Sequence, residues 1–207
     1  MKIQLDNAGK RFNRDWIFRH LSYTFQSGNG YAVTGSNGSG KSTLLQLLGG
    51  AISINEGSCS HFINNNPLAP DKIFASISFC APYLELIEEL TLIEFLNFHQ
   101  SFKPFINGLS IDFIAKEIQL EDARHKKIGD YSSGMKQRVK LAQSIFSNTP
   151  TILLDEPCTN LDTAGIQLYL ELIEKYCADR LVIVSSNDTT EYGFCNHVLC
   201  ISDFKTI

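Results

Sequence analysis

The chain lacks any run of the roughly 18 consecutive apolar residues that a membrane-spanning helix requires, so it is not expected to cross a membrane by itself. Its start, Met1-Lys2-Ile3-Gln4-Leu5-Asp6, carries no apolar signal core. Together these absences predict a chain that stays in the cytoplasm. None of the six cysteines (Cys59, Cys80, Cys158, Cys177, Cys195 and Cys200) forms a Cys-x-x-Cys pair. That argues against a zinc site or a thioredoxin-like redox motif and predicts buried thiols in a reducing compartment. Positive charge is in short supply: 18 Lys and Arg face 22 Asp and Glu, a net charge of −4 with His neutral. Nucleic-acid binding, which depends on neutralising phosphates, is therefore not expected. Internal repeats and low-complexity segments are absent as well.

What remains is an ordinary globular composition, 43% hydrophobic and 11% aromatic over 207 residues. That length is enough for one domain with a real core and no staples. Trp16 to Phe25 is rich in aromatic and β-branched residues and runs into Gly28-Asn29-Gly30, so it reads as a strand ending at a turn. Tyr31–Thr34 and Ile77–Cys80 read as short strands, Glu56-Gly57 opens another, and Asn64–Pro67 is a polar turn. From Leu92 the period changes. Leu92, Phe95, Leu96, His99 and Phe102 follow helical spacing, Ile111–Ile118 looks helical, and Val139, Ala142, Ile145 and Phe146 make a third apolar stripe. After Pro150 come a strand at Ile152–Leu154, a helix bearing Ile166, Tyr169, Leu170, Ile173 and Cys177, and a strand at Leu181–Val184. Alternating strands and helices predict an α/β fold with a mainly parallel sheet. The helix-only stretch 83–147 reads as a lobe inserted into a core made of residues 1–82 and 148–207.

Gly35-Ser36-Asn37-Gly38-Ser39-Gly40-Lys41-Ser42 fits the spacing G-x-x-x-x-G-K-[ST] between a strand and a helix. Glycines let successive N–H groups turn inward around phosphate oxygens. Lys41 can neutralise the β- and γ-phosphates, Ser42 can ligate Mg²⁺, Thr43 can bond the α-phosphate, and the helix N-terminus adds positive potential. Thr151-Ile152-Leu153-Leu154-Asp155-Glu156 supplies the complementary acids. The strand delivers Asp155 to the edge of a parallel sheet where ligands bind, placing it to hold Mg²⁺ and Glu156 to polarise an attacking water. A nucleotide and Mg²⁺ are the expected ligands.

Tyr131-Ser132-Ser133-Gly134-Met135-Lys136-Gln137-Arg138, taken with these two motifs in the same order, resembles the signature loop and helix of the ABC ATPase family. The resemblance covers nearly the whole chain. It implies a P-loop NTPase core with an N-terminal antiparallel β subdomain and the helical lobe inserted. Phe12 falls where the family stacks an aromatic on adenine, with a place in the core as the alternative. Asn160-Leu161-Asp162 resembles the loop that touches the opposite subunit, and the family implies a head-to-tail homodimer with two ATP molecules at the interface. Each ATP would be gripped by one subunit's phosphate loop and by Ser132, Ser133 and Gly134 of the other. Free N–H groups at a helix start suit that second anion contact. The family also implies transport through a separately encoded membrane permease, with this subunit peripheral on the cytoplasmic face. Tyr83, Leu84, Leu86, Ile87, Phe98, Phe102 and Phe105 offer apolar material for docking it, and the wording around Leu90–Leu96 leans towards export.

Two positions depart from the family pattern. Pro82 stands where a Mg²⁺-sensing Gln is usual, with Glu85 or a water as a substitute, and Asn187 in Ser185-Ser186-Asn187-Asp188 replaces the switch histidine. An amide can donate a neutral hydrogen bond but cannot become cationic. A soluble ATP-switch protein and a small-molecule kinase are the rival readings. The first usually carries coiled-coil inserts or two ATPase units, and the second does not need the signature segment.

Overall fold

The computed structural model describes residues 1–106 and 108–205 and contains two sheets. Residues 107, 206 and 207, which the sequence assigns to the lobe and the core, lie outside the described residues. In the first sheet, β1 (Lys2–Phe12) pairs antiparallel with β2 (Asp15–Gln26) on one side and with β4 (Glu56–Ile63) on the other. Between them in sequence lie β3 (Gly30–Thr34) and helix α1 (Lys41–Leu48). Only half of the Asn64–Pro67 turn is a turn. Asn64 and Asn65 have φ of 50° and 63°, and Asn66–Pro67 returns as a short β5 against β4. Two successive left-handed asparagines make the tight connection that suits the right-handed twist of a hairpin.

Helix α2 (Ile73–Ser76) leads into β6 (Ile77–Cys80). From there to residue 147 the regular elements are helical: α3 (Leu92–Gln100), α4 (Ile111–Glu117) and α5 (Ser133–Ile145). The chain then runs through β7 (Thr151–Asp155), α6 (Thr163–Cys177), β8 (Leu181–Ser185), α7 (Thr189–Tyr192) and β9 (His197–Cys200). The second sheet has the order β6-β7-β8-β3-β9, and every neighbouring pair in it is parallel.

Both faces of that sheet are covered, as a parallel sheet requires. Ile152, Leu154, Val182 and Val184 face a core shared with α3, α5 and α6. The alternate residues Leu153, Leu181 and Ile183 face a second core made with α1 and the antiparallel sheet. Thr91 starts α3 with a reciprocal cap: its Oγ1 accepts the Glu94 N–H at 3.3 Å while its own N–H donates to Glu94 Oε2 at 2.8 Å. The helix stops at Gln100, so Phe102 does not continue the predicted stripe and is 61% exposed. Pro104 explains this, because the residue before a proline is driven out of the helical region. Leu86 and Phe105, offered by the sequence as docking material, are buried in the core instead.

Arg180, just ahead of β8, ties three segments together. Its guanidinium donates to Ile145 O at 2.6 Å, Ser147 O at 2.8 Å, Thr149 O at 2.7 Å and Thr149 Oγ1 at 2.8 Å. These carbonyls close the end of α5 and the approach to β7. Arg180→Ala leaves several buried acceptors without donors and should lower unfolding stability by about 3 kcal/mol. Urea unfolding checks this, and an unchanged midpoint would contradict the role given to the guanidinium.

Candidate active site

Strand register assembles the site. Val33 of β3, Ser185 of β8 and Asp155 of β7 are direct neighbours in the parallel ladder. The segments that follow them therefore leave the sheet side by side. Gly35 and Asn187 each lie two residues beyond this row, and the Gly35 N–H donates to Asn187 Oδ1 at 3.1 Å. Glu156 lies one residue beyond it, and its N–H donates to Ser185 O at 2.9 Å.

The loop from Gly35 to Gly40 turns tightly enough to exclude side chains at its ends. Gly40 caps α1 with φ 107°, and a Cβ there would sit 2.2 Å from Ile17 Cγ2. At Gly35, φ 145°, a Cβ would meet Ser39 Oγ at 2.6 Å. Lys41 is buried, and its ammonium folds back to donate to Gly35 O at 2.8 Å. Ser39 Oγ is buried with no partner among the described residues. Asn37, Gly38, Gly40, Lys41, Ser42 and Thr43 line a cavity of about 240 Å³ together with Ile17 and Glu156. Ser36 is exposed on the loop beside it. The predicted loop and the predicted acid thus meet, although more than a hundred residues separate them.

Asp155 is 2% exposed, and its Oδ1 has no hydrogen-bond partner among the described residues. Leaving such an atom unbonded costs on the order of 1–3 kcal/mol, a cost that a cation against it would remove. Glu156 points outward from a left-handed backbone with φ 45°. A non-glycine residue is held there only when its surroundings over-determine it. The Thr159 N–H at 3.2 Å and Thr159 Oγ1 at 2.9 Å both donate to its carbonyl.

Ser132, Ser133 and Gly134 open α5 away from this cavity. With Arg138, Asn160, Leu161 and Asp162 they line a separate cavity of about 640 Å³. Ser132 caps the helix by accepting the Met135 N–H at 3.2 Å, which leaves its hydroxyl hydrogen available. Asp162 caps α6 by accepting the Gly165 N–H at 2.8 Å and faces Arg138 at 3.9 Å. Phe12 does not line the loop cavity. It is 48% exposed at the end of β1, with the Lys10 ammonium 4.9 Å from its ring centre.

At Pro82 only the carbonyl is used, accepting from Lys140 Nζ at 2.6 Å. The next residue, Tyr83, brings a hydroxyl to this part of the site. The Tyr83 hydroxyl accepts from Gln46 Nε2 at 3.1 Å. Burial raises the Tyr83 phenol above its ordinary value, and the neighbouring Asp155 carboxylate pushes it the same way. A polar side chain from this segment therefore reaches the Asp155 end of the site. Glu85 is exposed. No local pattern marks Tyr83, because its partners come from α1 and β7.

A sequence profile described as ABC transporter matches residues 18–159. An uncharacterized ABC transporter ATP-binding protein of Bacillus subtilis, YybJ, is 30% identical over 95% of this chain and 91% of its own length. The cytochrome c biogenesis ATP-binding export protein CcmA of Reclinomonas americana is 27% identical, over 84% of this chain and 78% of its own length. Among solved structures, the dimeric post-hydrolysis state of the ATP-binding cassette MJ0796 bound to ADP and Pi superposes with a TM-score of 0.82. It does so over 97% of this chain and 95% of that one, at 24% identity. This chain belongs to the ABC transporter family as an ATP-binding, ATP-hydrolysing subunit.

The Gly35 N–H bond holds the Asn187 amide by its oxygen, which leaves its Nδ2 hydrogens to donate elsewhere. Asn187→Ala, which removes the acceptor, should lower steady-state ATP hydrolysis about tenfold. Asn187→His brings a bulkier ring that lacks this fixed geometry and should give no gain. A several-fold rise in the histidine variant would contradict a site built around the amide.

Proposed function

We propose that this chain powers transport, with export favoured, through a separate integral membrane permease. In this reading two copies close head to tail on ATP at the cytoplasmic face of the membrane. Each copy is a single cassette whose core, residues 1–82 and 148–207, carries the lobe 83–147. The two separate cavities support the dimer. One copy presents a phosphate loop in one cavity and a capped helix start, Ser132–Gly134, in the other, so a second copy supplies what each cavity lacks. Ser36 to Thr43 cradle the phosphates, Phe12 stacks on adenine, and Asp162 lies at the contact between copies.

Mg²⁺ fits the site. Asp155 offers a buried oxygen without a donor, and Ser42 borders the loop cavity. Among the described residues no cluster of three or more His, Cys, Asp or Glu could cage a metal without other help. A Mg²⁺ shared with substrate phosphates is the usual arrangement in such sites. Ser42 and Asp155 would hold the ion, which would supply positive charge against the phosphates. Glu156 takes a proton from the attacking water, and the Asn187 amide donates to the γ-phosphate. Export is supported by the name of the CcmA relative and by the sequence around Leu90–Leu96.

The observation that carries the permease assignment is a groove of about 540 Å³ between α3 and the loop after β6. Phe74, Tyr83, Leu84, Ile87, Phe98 and Phe102 line it. Phe98 and Phe102 stack edge to face at 5.1 Å and are 48% and 61% exposed. Exposed aromatics gathered in one groove mark an interaction surface. The wild-type chain should sediment with membranes from its own cell. Replacing Phe98 and Phe102 together by Asp should move it to the soluble fraction without weakening ATP binding. A wild-type chain that stays wholly soluble would contradict the permease reading and favour a soluble ATP switch.

A further inference from the structure

One buried acid has no part in the scheme above. Glu191, on the short α7 that follows Asn187, is 6% exposed. Its Oε1 accepts the Cys158 N–H at 2.9 Å, and its Oε2 is buried without a partner among the described residues. Its main-chain oxygen accepts the Tyr169 hydroxyl at 2.8 Å, which fixes the residue from behind. A buried carboxyl with one oxygen left unbonded is costly to keep unless its contact to the backbone is needed.

The other half of the same peptide group is also held. Gln137, on α5 and 3% exposed, donates Nε2 to Pro157 O at 2.7 Å. The Pro157 carbonyl and the Cys158 N–H belong to one peptide plane, so two side chains grip that plane from opposite ends. One comes from the helix that begins at Ser132–Gly134, and the other from the segment that carries Asn187. The gripped plane begins one residue after Glu156 and leads into Asn160–Asp162. We propose that Glu191 and Gln137 form a clamp on the Pro157–Cys158 peptide that positions Glu156 for hydrolysis.

Three observations support a positioning role beyond packing. Glu156 has a left-handed φ of 45° and needs restraint on both sides. Its N–H is tied to β8, and the clamp restrains the Pro157–Cys158 peptide one step further on. Burial raises the Glu191 carboxyl, opposed by the Ser186 hydroxyl and the Cys158 amide, while the charges of Asp188 and Glu156 raise it further. Glu156 is therefore near enough to be felt electrostatically. Finally, Gln137 sits on α5, whose start lines the larger cavity, so a shift of α5 reaches the loop that carries Glu156 through the Pro157–Cys158 peptide group. The inference rests on the proposed role of Glu156.

The test is single-turnover and steady-state ATP hydrolysis, with ATP affinity measured in parallel, on Glu191→Met, Gln137→Met, their double variant, Glu191→Gln and Glu156→Gln. Each methionine variant fills the space without the polar contact. It should lose between about tenfold and a hundredfold in kcat while ATP affinity stays near wild type. The double variant should be little worse than either single, because both act on one peptide. Glu191→Gln keeps an acceptor for the Cys158 N–H and should restore most of the rate. Wild-type rates in the single methionine variants would overturn the clamp. So would a loss of affinity matching the loss of rate, multiplicative losses in the double variant, or a glutamine variant as impaired as methionine. Near-normal hydrolysis by Glu156→Gln would overturn the reading of Glu156, and the clamp with it. Should the methionine variants not fold, amide exchange in the wild-type chain decides. The Cys158 amide must be as protected as those of β7, and rapid exchange there would overturn the contact.

Discussion

The parallel register that sets Val33, Ser185 and Asp155 in one row is the constraint on which the rest of the structure depends. Three strands distant in sequence end level, and their next residues have nowhere to go but the same edge. Gly35, Glu156 and Asn187 meet there because the ladder leaves them adjacent. Sliding any of these strands by one residue would turn its whole apolar face to the wrong core. With Ile152 and Leu154 on one face and Leu153 on the other, register and core packing specify each other. The same burial that stabilises the sheet therefore fixes the positions of the phosphate loop and the acids.

The loop after β7 carries more than its acids. It leaves the sheet with a left-handed Glu156, passes through the clamped peptide and ends where Asp162 caps α6. Along this short path it meets α5, α7 and β8. Loops are usually where a fold tolerates movement, but this one is pinned by side chains from α5 and α7. Ser132 serves in a comparable way, capping α5 with its oxygen while its hydroxyl faces the larger cavity. Residues that complete helix ends within one chain thus also form the surface proposed to meet a second chain.

Contiguous chemistry was legible in the sequence. The phosphate loop depends on spacing within eight residues, and Asp155-Glu156 stand at the end of an apolar strand just ahead of Pro157, so local rules suffice for both. Asn187 could be found because it interrupts a recognisable pattern. Tyr83, Gln137 and Glu191 could not, since each acts through a partner 20 to 37 positions away that only the fold brings near. Periodicity misjudged Phe102 because it does not register the effect of Pro104. It also could not separate Leu86 and Phe105, which pack inward, from Phe98, which faces the groove. The short edge strand β9 has too few residues for alternation to declare itself.

The central claim is that one chain holds two half-sites that nucleotide joins across two copies. The most direct measurement is the mass in solution of Glu156→Gln, which should keep ATP without consuming it, with and without ATP and Mg²⁺. The account predicts a 23.2 kDa monomer without nucleotide and a species of twice that mass with it. Addition of Ser132→Arg, which fills the second cavity, should return the dimer to the monomer. A Glu156→Gln chain saturated with ATP that remains monomeric would contradict the claim.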